Sequence, residues 1–285
     1  MSMVQRECFK LGIALRTRHR EGGPNQYEYA PHYGIVTAQI DENLIVMEVI
    51  EEVARQHGLV ALFHEKPFIG VSGSGKHNNF SLATDQGVNL FSEKQVNAID
   101  SRGLKGEGFN LFPTIIAAVC HAVALHGDLV LASVATPGND FRLVKGGGAE
   151  APPLTFSVHL GDALTSHLKA YMERGAPPFD KPSTAFNVLK ERVTIGVKSI
   201  DQHGIVVSTE PRNRTAPFPF DGGRFELRAA GSSQNVSLCN VVLCTAIANA
   251  FNHYASEIEA GKDAREVAAT SLKAHGMSAV FNGWA

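Results

Sequence analysis

The spacing of apolar residues along the chain predicts a mixture of helices and short strands. Leu44, Met47, Ile50, Val53 and Ala54 recur at helical intervals, predicting an amphipathic helix over Asp41–His57, capped by Asp41 and ended by Gly58. A second helix is expected over Leu111–His126, closed by Gly127. Val241–Glu259 is expected to be the longest helix, followed by a shorter one from about Asp263 to His275. Leu59–Phe63 is an apolar run compatible with a buried strand. Leu154–Leu160 alternates like a strand, after which Asp162 is placed to cap a helix running to about Arg174. Gly175–Ser183 reads as a loop, and Val193–Val197 and Ile205–Val207 as strands around a turn. Arg224-Phe225-Glu226-Leu227-Arg228 alternates, which puts both arginines and the glutamate on one face of a strand. The order of elements has no regular βαβ beat, so an α+β fold is favoured over a doubly wound sheet.

The segment Gly70-Val71-Ser72-Gly73-Ser74-Gly75-Lys76-His77 comes within one residue of a phosphate-gripping P-loop, with His77 in place of the Ser or Thr. A P-loop needs that hydroxyl for Mg²⁺ and a helix opening directly after the lysine. Here His77, Asn79 and Ser81 alternate with Phe80 and Leu82, which is the period of a strand. An imidazole on a strand beside a glycine loop points to a metal site instead.

Composition narrows the setting. The 285 residues are 44% hydrophobic and 19% charged with a net charge of −2, a balance that gives no footprint for nucleic acid or an anionic membrane. Cys8, Cys120, Cys239 and Cys244 show no C-x-x-C pair and read as free thiols of a reducing compartment. The first ten residues have no signal-peptide core, and the apolar run Ile115–Leu125 is interrupted by His121 and too short to span a bilayer. A cytoplasmic protein is expected.

Several groups are equipped for chemistry, each with a plainer alternative. Glu21 and Glu28 frame a turn-rich connection that brings two carboxylates to one point, although closely spaced glutamates are usually just solvated. Glu226 lies between Arg224 and Arg228, which also fits a surface ion-pair ladder. Arg142, Arg212 and Arg214 sit in or beside loops, where guanidinium forks either clamp phosphate and carboxylate or are simply solvated. Glu150 follows Gly146-Gly147-Gly148, a segment suited to closing over a site or to an ordinary surface loop. Taken together, several carboxylates, one imidazole and a set of arginines suit Mg²⁺ or Mn²⁺ and phosphoryl transfer.

The order of short motifs resembles the catalytic domain of glutamine synthetase, in its long type III branch. The matching runs are Thr17-Arg18-His19-Arg20-Glu21, Gln26-Tyr27-Glu28-Tyr29-Ala30-Pro31, His64-Glu65-Lys66-Pro67-Phe68 and Gly73-Ser74-Gly75-Lys76-His77-Asn78-Asn79. They continue with Asn139-Asp140-Phe141-Arg142-Leu143, Glu150-Ala151-Pro152-Pro153, Arg212-Asn213-Arg214-Thr215, Arg224-Phe225-Glu226-Leu227-Arg228 and Gly231-Ser232-Ser233-Gln234. The resemblance covers nearly the whole chain and implies one catalytic domain over 1–285, a curved antiparallel sheet forming a half-barrel flanked by helices.

The resemblance also implies roles. Glu21 and Glu28 match ligands of a first divalent cation, and His77 and Glu226 match ligands of a second that bridges the ATP phosphates. Gly73, Arg142 and Arg228 match groups that receive substrate glutamate. Arg214, Arg224 and Ser81 match ATP-side positions, with Arg214 also catalytic. Glu150 matches the flap glutamate that closes the site and helps remove a proton. The implied activity is glutamate–ammonia ligation through a γ-glutamyl phosphate, using ATP with Mg²⁺ or Mn²⁺ in a double-ring homo-oligomer. A catalytically incomplete relative that binds nucleotide or joins complete subunits is the alternative. The family's upstream β-grasp domain and the strand bearing two further metal-binding glutamates are not found in this sequence, so each cation site is expected to lack one carboxylate. Ser72 stands where the family usually has asparagine, the residues Val144–Ala149 lengthen the Arg142–Glu150 spacing, and type III members continue past Phe281-Asn282-Gly283.

Overall fold

The computed structural model describes residues 1–101, 105, 110–145, 154–173, 190–192, 206–208 and 216–282. Glu150, Arg212 and Arg214, the expected loop at Gly175–Ser183 and the expected strand at Val193–Val197 lie outside the described residues.

Two hydrophobic clusters organise the chain. The smaller joins helix α1 (Ser2–Lys10) to strand β1 (Leu15–Arg20) and helix α2 (Val36–Gln56), through Val4, Cys8, Ile13, Leu15, Val46 and Val53. Strand β2 (Tyr27–Pro31) pairs antiparallel with β1, so this unit is a hairpin backed by two helices. The larger cluster surrounds helix α4 (Leu111–Val134), which is buried along most of its length beyond the short helix α3 (Glu93–Asn97). Helices α7 (Ser237–Glu259) and α8 (Ala264–Ala274) pack on α4. Strand β3 (Gly75–Phe80) pairs antiparallel with strand β8 (Phe225–Gly231), whose Phe225 and Leu227 enter the same core. Short ladders complete the described strands: β4 (Val158–His159) runs parallel to β7 (Phe218–Pro219), and β5 (Lys190–Arg192) antiparallel to β6 (Val206–Ser208). Helix α5 (Pro137–Asp140) follows α4 and leads into a π turn at Phe141–Lys145, and helix α6 (Gly161–Met172) follows β4. The α+β reading therefore holds, with the described strands paired in twos.

Where elements differ from expectation, local contacts account for it. Helix α2 begins at Val36 after an extended Ile35, so Asp41 lies inside the helix and caps nothing. Gly58, at φ +67°, does end the chain's helical course there, because a left-handed turn suits a residue without Cβ. Leu59–Phe63 forms no strand, and Leu59 and Val60 are exposed. Gly127 does not stop α4. It lies within a 24-residue helix that is one residue longer than the 23-residue α7, and a Cβ on it would meet Phe156 at an ordinary 3.5 Å. Helix α4 is long and apolar enough to cross a membrane by length and composition, and it is the main core helix. Asp162 falls in the first turn of α6, one place beyond its start, whereas Asp263 does cap α8 by accepting the Arg265 N–H at 2.9 Å. All four cysteines are free thiols.

An aromatic stack anchors β8. The Phe225 ring is fully buried, stacked on Phe218 at 4.7 Å and edge-on to Phe91 at 4.9 Å, with Phe220 at 5.0 Å. Truncating it leaves a cavity lined by three rings, so Phe225→Ala is expected to destabilise the fold by about 3–5 kcal/mol. Urea unfolding followed by circular dichroism reads this directly; a loss below ~1 kcal/mol would show that the stack is not the anchor of this strand.

Candidate active site

Two groups of polar side chains meet between the β1–β2 hairpin and the β3–β8 pair. On the hairpin, His19 faces Glu28 across the ladder, and Glu21 follows β1 on the same side as His19. The His19 Nε2 atom lies 2.5 Å from Glu21 Oε1 and 2.9 Å from Glu28 Oε2. These three side chains offer ligand atoms that all lie within 4.8 Å of one another. The tie to the next element is Gln26, whose Nε2 donates to the Gly73 carbonyl at 3.0 Å and to Ser74 Oγ at 2.7 Å.

On the second pair, His77 Nδ1 lies 3.3 Å from Glu226 Oε1 and 3.7 Å from Glu28 Oε1. Glu28 is thus common to both groups. Arg228 Nη1 donates to Glu226 Oε1 at 2.7 Å. The register breaks at His77: Lys76 faces Ala230 and Asn78 faces Leu227, so one residue of β3 opposes two of β8. Such a bulge re-aims side chains beside a site.

Arg142 closes this bulge from beneath. Its Nη1 donates to Asn139 Oδ1 at 3.1 Å and to the Ala230 carbonyl at 3.3 Å, and its Nη2 donates to the Arg228 carbonyl at 3.2 Å. Asn139 donates to the Ala229 carbonyl at 2.8 Å. Glycines make room: a Cβ at Gly75 would stand 2.2 Å from Arg142 Nη2, and one at Gly73 would stand 2.6 Å from the Glu65 carbonyl.

Burial and charge tune the titrating groups. Burial, with Arg228 and Arg142 nearby, pushes the His77 imidazole down to about 3, so it is neutral and has a lone pair to offer. Burial raises Glu28, and the hydrogen bond and charge of Glu21 and the charge of Glu226 add to the effect, against a lowering by His19. Burial takes Lys76 down to about 8; its Nζ donates to Asn43 Oδ1 at 2.8 Å and to the Gln234 carbonyl at 2.6 Å. Carboxylates pressed together beside a neutral imidazole form a donor set that a divalent cation would relieve.

The comparison with known proteins fits this geometry. Residues 1–105 match the family "Glutamine synthetase, catalytic domain". Residues 1–105 carry glutamine synthetase catalytic-domain sequence. The chain is 39% identical over 259 residues to a glutamine synthetase of Bacteroides fragilis, covering 91% of this chain and 33% of that protein. It is 40% identical over 258 residues to a type-3 glutamine synthetase of Dictyostelium discoideum, covering 90% of this chain and 32% of that protein. The chain thus spans about a third of the length of these curated relatives. A ligand-free structure of GmaS matches the fold at TM-score 0.57 and 18% identity, covering 96% of this chain and 52% of that one.

The structure gathers Glu21, Glu28, His77, Glu226, Arg228 and Gly73 around one place. Arg142 is only 3% exposed, beneath the glycine loop. Arg224 precedes β8 and pairs with Asp221 at 2.8 Å on the surface, and Ser81, just beyond β3, is exposed. The expected shared face of the Arg224–Arg228 run survives in Glu226 and Arg228, which bond to each other. His19 is the residue that motif matching passed over. Its position two before Glu21 in an alternating run was the available signal.

A raised folded pKa at Glu28 means that the native state holds protons more tightly than the unfolded chain. Stability is then lost as pH rises through that folded pKa. Without cation, Glu28→Gln is expected to raise the melting temperature near neutral pH and flatten its fall with rising pH. The same variant should lose at least about tenfold in Mn²⁺ affinity. A lowered melting temperature in cation-free buffer would contradict this account of Glu28.

Proposed function

We propose that residues 1–285 form the catalytic domain of a glutamine synthetase. The reaction is ATP-dependent ligation of ammonia to L-glutamate through a γ-glutamyl phosphate, giving glutamine, ADP and phosphate. The observation that carries this reading is the meeting of two donor sets at Glu28, with His77 Nδ1 within 3.7 Å of Glu28 and 3.3 Å of Glu226.

Glu21 and Glu28 would hold one Mg²⁺ or Mn²⁺, and His77 and Glu226 the other; bound there, the cations neutralise phosphate oxygens during transfer. The carboxylates of Glu21 and Glu28 also make a negative pocket that draws in ammonium and favours its docking beside the acyl phosphate. Arg228 stands on the glutamate side, held in direction by Glu226. Gly73 lines the same side, its lack of a side chain letting the loop lie against the Glu65 carbonyl. Arg142 serves this pocket from below, fixing the Arg228 and Ala230 backbone through its own N–H groups. Arg224 and Ser81, at the strand ends, would serve the ATP side, the role that the family resemblance also gives to Arg214. Glu150 closes the site against water and takes the proton released on amide formation. Tyr33, Ile35, Val60 and Ile69, large and exposed, support assembly of the site with further polypeptide in a homo-oligomer.

The test is ligand-induced stabilisation, with glutamine formation from glutamate, ammonia and Mg²⁺–ATP followed alongside. Mn²⁺ with ATP is expected to raise the melting temperature of this chain, and His77→Ala to weaken Mn²⁺ binding about tenfold or more with an unchanged circular dichroism spectrum. Equal Mn²⁺ affinity in wild type and variant would overturn the cation assignment.

A further inference from the structure

Glu65 has no part in the reaction as described so far, yet it is a 2%-exposed carboxylate at the centre of the site's support. Three glycines are shaped around it. A Cβ at Gly138 would stand 2.4 Å from its Oε2, one at Gly231 would stand 2.4 Å from its Oε1, and one at Gly73 would strike its carbonyl at 2.6 Å. Its Oε1 accepts the Ser233 backbone N–H at 3.0 Å and the Ser233 hydroxyl at 2.6 Å. Its own carbonyl accepts the Ser74 N–H at 2.7 Å. One residue thus holds the glycine loop through its backbone and the turn after β8 through its side chain, and these two segments carry the neighbours of His77 and Glu226.

The charge matters as well as the bonds. Glu65 supplies negative potential to two sequestered cations, opposing the downward push of burial on both Lys76 and Arg142. A buried carboxylate with no counter-charge would be costly, and so would two buried cations with none.

We propose that Glu65 is a positioning residue that clamps the Gly73–Gly75 loop to the Gly231–Ser233 turn and so holds the His77–Glu226 donor pair in place before ligand arrives. Its link to cation binding rests on the reading under Proposed function; the clamp itself does not.

Amide hydrogen exchange and Mn²⁺ binding test the two parts separately. In Glu65→Ala, the amides of Ser74 and Ser233 should exchange at least about tenfold faster while those of Leu111–Val134 keep wild-type rates, and Mn²⁺ affinity should fall about tenfold. Glu65→Gln, which keeps an acceptor at the same reach, should recover most of the Ser233 protection. If Glu65→Ala does not fold, Ser233→Ala removes the hydroxyl contact alone and should loosen Ser74 in the same direction. Unchanged exchange at Ser74 and Ser233 overturns the clamp. Faster exchange with unchanged Mn²⁺ affinity makes Glu65 a structural residue only and overturns the positioning role. Absence of Mn²⁺ binding in the wild type removes the cation reading, and the exchange rates then decide the clamp alone.

Discussion

The break in the ladder at His77 is the constraint on which the surrounding structure depends. Two residues of β8, Arg228 and Ala229, face one of β3 there, so their carbonyls are taken out of regular pairing beside Ala230 at the edge of the break. All three residues are buried, and an unmet buried carbonyl costs about 1–3 kcal/mol. Asn139 and Arg142 meet all three. A guanidinium is the suitable side chain, because its planar fork can serve several acceptors at fixed angles where an ammonium cannot. The helix Pro137–Asp140 and the π turn after it exist at this place to deliver that fork. Thr136 caps the short helix, its side chain accepting from the Asn139 N–H.

Burying Arg142 beside Arg228 sets the electrostatics of the site. Burial, with the repulsion of the neighbouring Arg228 adding to it, takes Arg142 down to about 10. Glu226 answers Arg228 through a direct bond, and Glu65 answers Arg142 and Lys76 through space. Burial, joined by what remains of the positive field from Arg228 and Arg142, keeps His77 unprotonated. The same residues that repair the backbone therefore prepare the imidazole as a ligand, so structural and chemical roles are not separable here.

Much of this could be read from the sequence, for identifiable reasons. His77 on a strand and Glu226 beside Arg228 were visible because alternation with a period of two assigns faces directly. The hairpin carboxylates were visible because turn residues separate Glu21 from Glu28. Arg142 was visible as an arginine with a purpose, but its burial was not. Nothing local shows that two carbonyls from residues almost ninety positions away await it. Glu65 was hidden for the same reason, since its partners at Gly138, Gly231 and Ser233 are distant in sequence. Helix starts failed where a plausible cap, such as Asp41, lay within a helix that propensity and core contacts carried further. Gly127 misled because core contacts on both sides of it, at Val123, Val130 and Val134, carry the helix past it.

The composition of the donor sets has a consequence for how ligands would bind. A hard divalent cation takes about six oxygen or nitrogen ligands, and Mg²⁺ demands near-octahedral order. Glu21 and Glu28 with His19 offer at most a few, and His77 with Glu226 offers two, sharing Glu28 as a close neighbour. Such sets hold a cation weakly by themselves, and the remaining positions suit oxygens that arrive with a substrate, phosphates above all. On the proposed reading, cation and nucleotide then bind as a unit, each completing the surroundings of the other. The repulsion stored at Glu28 serves the same end: carboxylates kept close at some cost to the empty fold release that cost when positive charge arrives, and this adds to affinity at the moment the site is filled.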